Sequence, residues 1–297
     1  MTISSAERNA RAVLPFIRFL QDGIPLPLAQ KLLRSSLTHV SLGDGVRREA
    51  ASIDGVRCDW VIPDGGPQAP VLLYLHGGGF VFGQTPQHLQ MAAFLARRLG
   101  MRILLVDYRL GPEFPYPAAL DDCTACYRWL RKQGIAAGEI VVAGDSAGGN
   151  LTVALLMKLR DAGEALPAAA ACLSPVTDLT RDHSQGGLKD PLLPPKAMRL
   201  YTRAYLGGQD AHDALISPAL GNLHGLPPLL IFAGEREVLR PDAVRLAELA
   251  DAAGVDVRLE VYPRMWHVWQ IFLDLPEAVQ SLEDLTQFLK AHLEPAV

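Results

Sequence analysis

The chain has 297 residues, 49% hydrophobic and 20% charged, with a net charge of −4 and a pI near 6.1. That is ample material for a large core, and it makes no electrostatic case for nucleic acid or an anionic membrane as partner. No apolar run approaches the roughly 18–20 residues of a membrane span, and Met1–Arg8 does not read as a secretory signal, so a cytoplasmic address is the default expectation.

In chain order, Ala10–Leu20 and Leu26–Leu37 read as short amphipathic helices, broken by Gly23 and Pro25. Val46–Ser52 and Val56–Ile62 form a hairpin about the turn dipeptide Asp54-Gly55. Strands follow at Val71–Leu75, Ile103–Val106, Ile140–Ala143, Ala169–Leu173, Leu229–Ala233 and Val257–Val261. Helices fall between them near His88–Leu99, Ala118–Gln133, Gly149–Leu159, Asp242–Ala253 and Ala278–Leu293. This alternation predicts an α/β fold: a mostly parallel eight-stranded sheet with helices on both faces and the hairpin as its antiparallel edge. One interval breaks the rhythm. Thr177–Leu226 carries Gly186-Gly187, Pro191, Pro194, Pro195 and one helix at Met198–Tyr205, and so long an excursion between core strands is commonly a lid or binding loop.

Two runs carry chemistry. Val141-Val142-Ala143-Gly144-Asp145-Ser146-Ala147-Gly148-Gly149-Asn150 is a buried strand, a G-x-S-x-G turn and the start of a helix, the context that a nucleophile elbow requires. A serine nucleophile must project from a turn too tight for flanking Cβ atoms, so Gly144 and Gly148 have a steric reason to be glycine. The helix N-terminus behind Ser146 offers free N–H groups and a positive dipole end to an oxyanion. Upstream, Val71–Leu75 runs straight into His76-Gly77-Gly78-Gly79-Phe80, the HGGG-type loop that supplies the other half of a hydrolase oxyanion hole. A phosphate cradle is the weaker reading, because no G-x-x-x-x-G-K-[ST] is present.

A serine nucleophile needs a base, and hydrolases of this kind place it last in the chain. Only His267 and His292 follow the last core strand. His292 lies beside Glu294 on a charged terminal helix and reads as solvated, whereas His267 sits in a loop after Val257–Val261, at the carboxyl edge of the sheet. For the carboxylate that orients the base, Glu235, Glu237 and Asp242 compete after the strand Leu229–Ala233. Asp242 opens the next helix and reads as a cap for free N–H groups. Cys123 and Cys126 form a C-x-x-C but fall on one helix face, with Cys58 and Cys172 isolated in strands, so all four read as buried small hydrophobes rather than metal ligands or a redox pair.

His76–Phe80 followed by Gly144–Gly149 resembles the bacterial hormone-sensitive-lipase-like esterases of the α/β-hydrolase fold. Tyr108-Arg109-Leu110-Gly111-Pro112-Glu113 with Phe114–Ala119 is similar to that family's Y-R-L-x-P-E-x-x-x-P-A segment, and Ile216-Ser217-Pro218 and Leu226-Pro227-Pro228 sit where the family has such runs. The resemblance covers the chain from about Val46 to the C-terminus. It implies a helical cap made from residues 1–45 and 177–226 on a catalytic domain of residues 46–297. It implies a cofactor-independent, metal-free serine carboxylesterase with Ser146 as nucleophile and His267 as base. Among the three acids it selects Glu237, the first acidic position of the family's G-x-x-D-x-L-x-D segment, followed here by Leu239 and Asp242; glutamate stands where aspartate is commoner. It assigns the oxyanion hole to the N–H groups of Gly78, Gly79 and Ala147. It gives Asp145 an anchoring role at the elbow and His76 a structural one.

Arg109 and Glu113 are expected to pair within their own loop. His39, His88, His183, His212 and His224 show no partner pattern and are expected at surface or loop positions. The expected substrate is a small-molecule ester of about eight acyl carbons or fewer, because no long apolar amphipathic lid is evident. Neither nucleic acid nor a membrane is an expected partner, and a homodimer is left open. A cyclic ester (lactone) substrate also remains open. A non-catalytic receptor of this fold is disfavoured by the presence of His267, and an aspartate-nucleophile dehalogenase or epoxide hydrolase by Ser146.

Overall fold

A computed structural model describes residues 4–37, 40–66, 70–183 and 190–293. His39 and the Gly186-Gly187 step of the insert lie outside the described residues. Eight strands form one sheet: β1 (Val46–Ile53), β2 (Val56–Pro63), β3 (Val71–Leu75), β4 (Arg102–Asp107), β5 (Ile140–Asp145), β6 (Ala169–Leu173), β7 (Leu229–Gly234) and β8 (Val257–Tyr262). Their order across the sheet is β1-β2-β4-β3-β5-β6-β7-β8. The β1–β2 and β2–β4 pairs are antiparallel and all others parallel, so the α/β-hydrolase architecture expected from the sequence is the one observed.

Strand period and helix placement divide the core in two. Every residue of β3 is buried. Val71, Leu73 and Leu75 face one layer, with α4 (Ala118–Lys132), α5 (Ala147–Asp161) and α7 (Arg240–Ala252). Leu72 and Tyr74 face the other, with α3 (Pro86–Leu99) and α8 (Pro276–His292). The start of α3 is set by Thr85, whose hydroxyl accepts from the His88 N–H while the His88 ring accepts from the Thr85 N–H, and by Pro86 in the first turn.

Three more helices pack at the margins of these layers. They are α1 (Ser5–Asp22), started by a Ser4 cap on the Glu7 N–H, α2 (Leu26–Ser35), and α6 (Pro195–Leu206) inside the insert. Ala29 of α2 and Ala197, Tyr201 and Ala204 of α6 bury against Val81 and Phe82, which directly follow the glycine loop. The outer faces of α1 and α2 correct an expectation. Val13, Phe16, Phe19, Leu28 and Leu32 are exposed there, so exposed apolar helix faces do exist in the N-terminal segment.

Several side-chain partnerships also differ from expectation. Arg109 pairs with Asp122 of α4 at 2.7 Å, not with Glu113, because the loop leads directly over that helix. His88 and His183 are not surface residues: each is directed at a buried carboxylate, Asp145 at 3.3 Å and Asp242 at 2.9 Å. Those partners lie 57 and 59 positions away in the chain, beyond any local pattern. The cysteines are all buried and unbridged, as read, but Cys58 is not isolated, since its Sγ lies 3.6 Å from that of Cys126.

Candidate active site

The elbow follows from backbone crowding. Ser146 links β5 to α5 with φ 53° and ψ −115°, a conformation that costs a non-glycine residue about 1–3 kcal/mol. The turn holds because its surroundings over-determine it. The Ser146 N–H donates to Leu173 O at 2.8 Å, and a Cβ on Gly148 would collide with the Leu75 carbonyl while one on Gly144 would collide with the carbonyl of Gly148. Asn150 then donates to Val176 O and Ile216 O, both at 3.0 Å, tying the residue before the insert and a point in its later part to the first turn of α5. Ala147 is the first residue of α5, so its N–H has no acceptor within the helix.

The glycine loop is held from behind by Asp145. Its carboxylate accepts from Tyr74 Oη and the Gly77 N–H, both at 2.9 Å, and faces His88 Nε2 at 3.3 Å. Burial alone would raise the Asp145 carboxyl, but His88 and the two donors outweigh it and hold it below its ordinary value. Gly78 and Gly79 have φ of +126° and +61°, and the Gly78 carbonyl accepts from Val81 and Phe82 N–H, which turns the loop back on itself. A Cβ on Gly79 would lie 2.5 Å from the Tyr201 ring, so α6 sits directly against this residue. His76 packs its ring on Tyr108 (centroids 4.2 Å apart) with Nδ1 2.7 Å from Gly77 O. Burial first, and then repulsion by His88, lower its pKa to about 4, so at neutral pH it is an uncharged support.

The base and its acid come from the ends of β8 and β7. His267 Nε2 is 2.9 Å from Ser146 Oγ, and Nδ1 is 3.6 Å from Glu237 Oε2. The second distance is an ion-pair contact longer than a hydrogen bond. Both Glu237 oxygens and His267 Nδ1 are buried without a hydrogen-bond partner. Burial raises the Glu237 carboxyl, with His267 and then Ser174 opposing it. Burial lowers the His267 imidazole, but Glu237 outweighs that and leaves it raised. The pair as a unit therefore holds a proton more firmly than its separate members. All three residues expected at the site are brought together, each nearly or fully buried.

The other acids lie elsewhere. Glu235 is exposed and accepts from the Arg264 N–H at 2.7 Å. Asp242 is buried in the first turn of α7, which starts at Arg240. It does not cap that helix: it accepts from the Thr177 and Asp178 N–H groups at 2.8 and 3.1 Å and meets Arg181 and His183. It latches the insert to α7.

Two residues near the site escaped the sequence reading. Ser174, at φ +52°, accepts from the Val268 N–H at 3.1 Å and so fixes the chain just after His267. Asp190, buried in the insert, accepts from the Val238 N–H at 3.1 Å, one residue past Glu237, and from Leu192 and Leu193 N–H. Ser174 closes the β6 segment and had a signal in its place at a strand's carboxyl end; Asp190 had none. Among the described residues no group of three or more His, Cys, Asp or Glu side chains is arranged to hold a metal ion.

A family model described as alpha/beta hydrolase fold matches residues 72–271. The chain is 41% identical to an acetyl-hydrolase of Streptomyces hygroscopicus over 246 residues, 82% of each chain. It is 32% identical to the carboxylesterase NlhH of Mycobacterium tuberculosis, over 90% of this chain and 92% of that one. A crystal structure of an esterase from the bacterial hormone-sensitive lipase family superposes with a TM-score of 0.90 at 38% identity, covering 99% of this chain and all of the other. The chain belongs to the α/β-hydrolase family and, within it, to the hormone-sensitive-lipase-like esterases. Among the described residues no helix is long and apolar enough to cross a membrane.

Proposed function

We propose that this carboxylic ester hydrolase cleaves short-to-medium-chain acyl esters through a Ser146–His267–Glu237 triad and an acyl-enzyme intermediate. The observation that carries the reading is the 2.9 Å contact between His267 Nε2 and Ser146 Oγ at a strained elbow facing the glycine loop. His267 removes the Ser146 proton as Oγ bonds to the ester carbonyl carbon. The carbonyl oxygen becomes an oxyanion, stabilised by the N–H groups of Gly78, Gly79 and Ala147. His267 then protonates the leaving alkoxide as its bond to carbon breaks, releasing the alcohol. Water, deprotonated by the same imidazole, attacks the acyl-Ser146 ester and releases the acid. Glu237 holds the ring and stabilises the imidazolium, and the absence of any hydrogen bond to its oxygens favours a charge reserved for His267.

In this reading α1, α2 and the 177–226 insert form a cap on the catalytic domain, and a small-molecule ester is the partner. The packing of Tyr201 over Gly79 supports an acyl pocket of limited depth. Ser146→Ala should fold as the wild type and lose aryl-ester hydrolysis by about three orders of magnitude or more, leaving only what the oxyanion donors and binding supply. Near wild-type turnover in a folded Ser146→Ala protein would overturn the mechanism.

A further inference from the structure

The helices α1, α2 and α6 differ from the rest of the molecule in both apolar exposure and charge. Among the described residues nine large hydrophobic side chains are exposed, and six of them lie on these three helices. Val13, Phe16 and Phe19 recur every third residue along α1, 46%, 64% and 56% exposed, and helical spacing puts Phe16 and Phe19 on the side away from buried Ala10 and Leu14. Leu28 and Leu32 stand one turn apart on α2, and Leu200 projects from α6. Phe16 and Phe19 therefore do not complete any part of the described core.

The charge is as uneven. The three helices, of 18, 10 and 12 residues, contain eight Lys or Arg and two Asp or Glu, a net charge of +6. The other residues of the chain contain twenty basic and thirty acidic residues, a net charge of −10. The modest whole-chain charge conceals this polarity. Exposed Lys31 lies between Leu28 and Leu32, and exposed Arg203 lies one turn from Leu200.

Concentrated exposed aromatic and aliphatic side chains with a surplus of basic residues are the composition of a helix lying in a lipid interface. We propose that the outer face of α1, α2 and α6 docks on an anionic lipid surface. The phenylalanines and leucines enter the boundary between headgroups and acyl chains, and the basic residues meet the lipid phosphates. Charge selects this occupant over a second copy meeting the same face: among the described side chains of these helices the exposed charges are Arg8, Lys31, Arg199 and Arg203, all basic, while Glu7 is buried, and two such faces brought together repel. It also sets the orientation, since the −10 remainder of the molecule is repelled by the same surface. The docked face belongs to the helices of the proposed cap, two of which, α2 and α6, pack on Val81 and Phe82 just after the glycine loop, so the molecule would lie with that cap toward the lipid. This inference does not depend on the esterase mechanism.

The test is sedimentation of the full chain with unilamellar vesicles of phosphatidylglycerol and phosphatidylcholine in equal parts, against pure phosphatidylcholine. At low salt the wild type should partition at least tenfold better onto the anionic vesicles, and 0.5 M NaCl should remove most of that preference. Phe16→Ser/Phe19→Ser should lower partitioning about tenfold, with hydrolysis of a water-soluble aryl acetate within twofold of wild type. Lys31→Glu/Arg203→Glu should abolish the anionic preference. If the phenylalanine variant fails to fold by circular dichroism, Leu28→Ser/Leu32→Ser on α2 replaces it with the same expectation. Equal partitioning on both vesicle types, or unchanged binding by the folded variants, overturns the proposal. So does a wild-type dimer that ignores vesicles and becomes monomeric on Phe16→Ser/Phe19→Ser, which would make the face a contact between copies.

Discussion

Two fully buried carboxylates flank Ser146, and they are treated in opposite ways. Asp145, its chain neighbour, is engaged by Tyr74, the Gly77 N–H and His88, and its pKa is held down. Glu237 approaches from β7, has no hydrogen bond to either oxygen, faces His267 at 3.6 Å, and has its pKa raised. A satisfied buried carboxylate fixes structure; an unsatisfied one is tolerated where a neighbouring charge forms during the reaction. The lesson is that burial alone does not mark a working group: what the surroundings leave unpaired does.

The largest effect should come from the unpaired member. Glu237→Gln keeps the shape and removes the charge, so kcat should fall roughly 10²–10⁴-fold while the melting temperature stays within a few degrees, because the isosteric amide leaves the packing unchanged. Steady-state kinetics beside a thermal melt decide it, and a mutant with intact kcat returns the assignment to the other acids. Asp145→Ala should show the reverse balance. It strands the Tyr74 hydroxyl, the Gly77 N–H and His88, a loss of about 2–3 kcal/mol, and should lower the melting temperature by about 5 °C or more. Asp242→Asn sharpens the contrast from outside the site. It weakens the latch to His183 and Arg181 and should cost about 1–2 kcal/mol, with kcat changed less than threefold.

The pH profile tests the same comparison through protons. Hydrolysis needs neutral His267, and Glu237 raises the proton affinity of that ring. Activity should therefore be lost as pH falls, with the acid limb of kcat/KM centred above the ordinary imidazole value of about 6.5. In the residual activity of Glu237→Gln the limb should move to lower pH, because burial then acts on the imidazole without its counter-charge. A limb that stays in place means that Glu237 does not set it. The smallest expected effects are in substrate choice. Across acetate, butyrate, octanoate and palmitate aryl esters, kcat/KM should peak at eight carbons or fewer, since a buried methylene adds about 0.8 kcal/mol only while the pocket has room. A maximum at palmitate would show a deeper pocket than the Tyr201–Gly79 contact allows.

Sequence alone determined the sheet, its antiparallel edge, the elbow and the glycine loop. Each is written in local patterns: alternating burial, the Asp54-Gly55 turn, and glycines wherever a Cβ would strike a neighbouring strand. It also brought Ser146 and His267 forward, because the order of these residues along an α/β chain follows the order of strand ends, whereas the choice of Glu237 among three nearby acids came from the family resemblance. Only the tertiary structure decided who partners whom. Arg109 left Glu113 for Asp122, Asp242 joined the insert instead of capping α7, His88 and His183 left the surface for buried carboxylates, and Asp190 arrived beside Glu237 from a proline-rich segment. These contacts join residues 13 to 65 positions apart on different elements, and such separations carry no periodicity for a sequence to display. The polarity of the three outer helices was hidden for a related reason. Net charge is a sum over the chain, and the contrast between three basic helices and an acidic remainder becomes visible only once folding has packed α1 against α6 and α2 against the same cluster as α6.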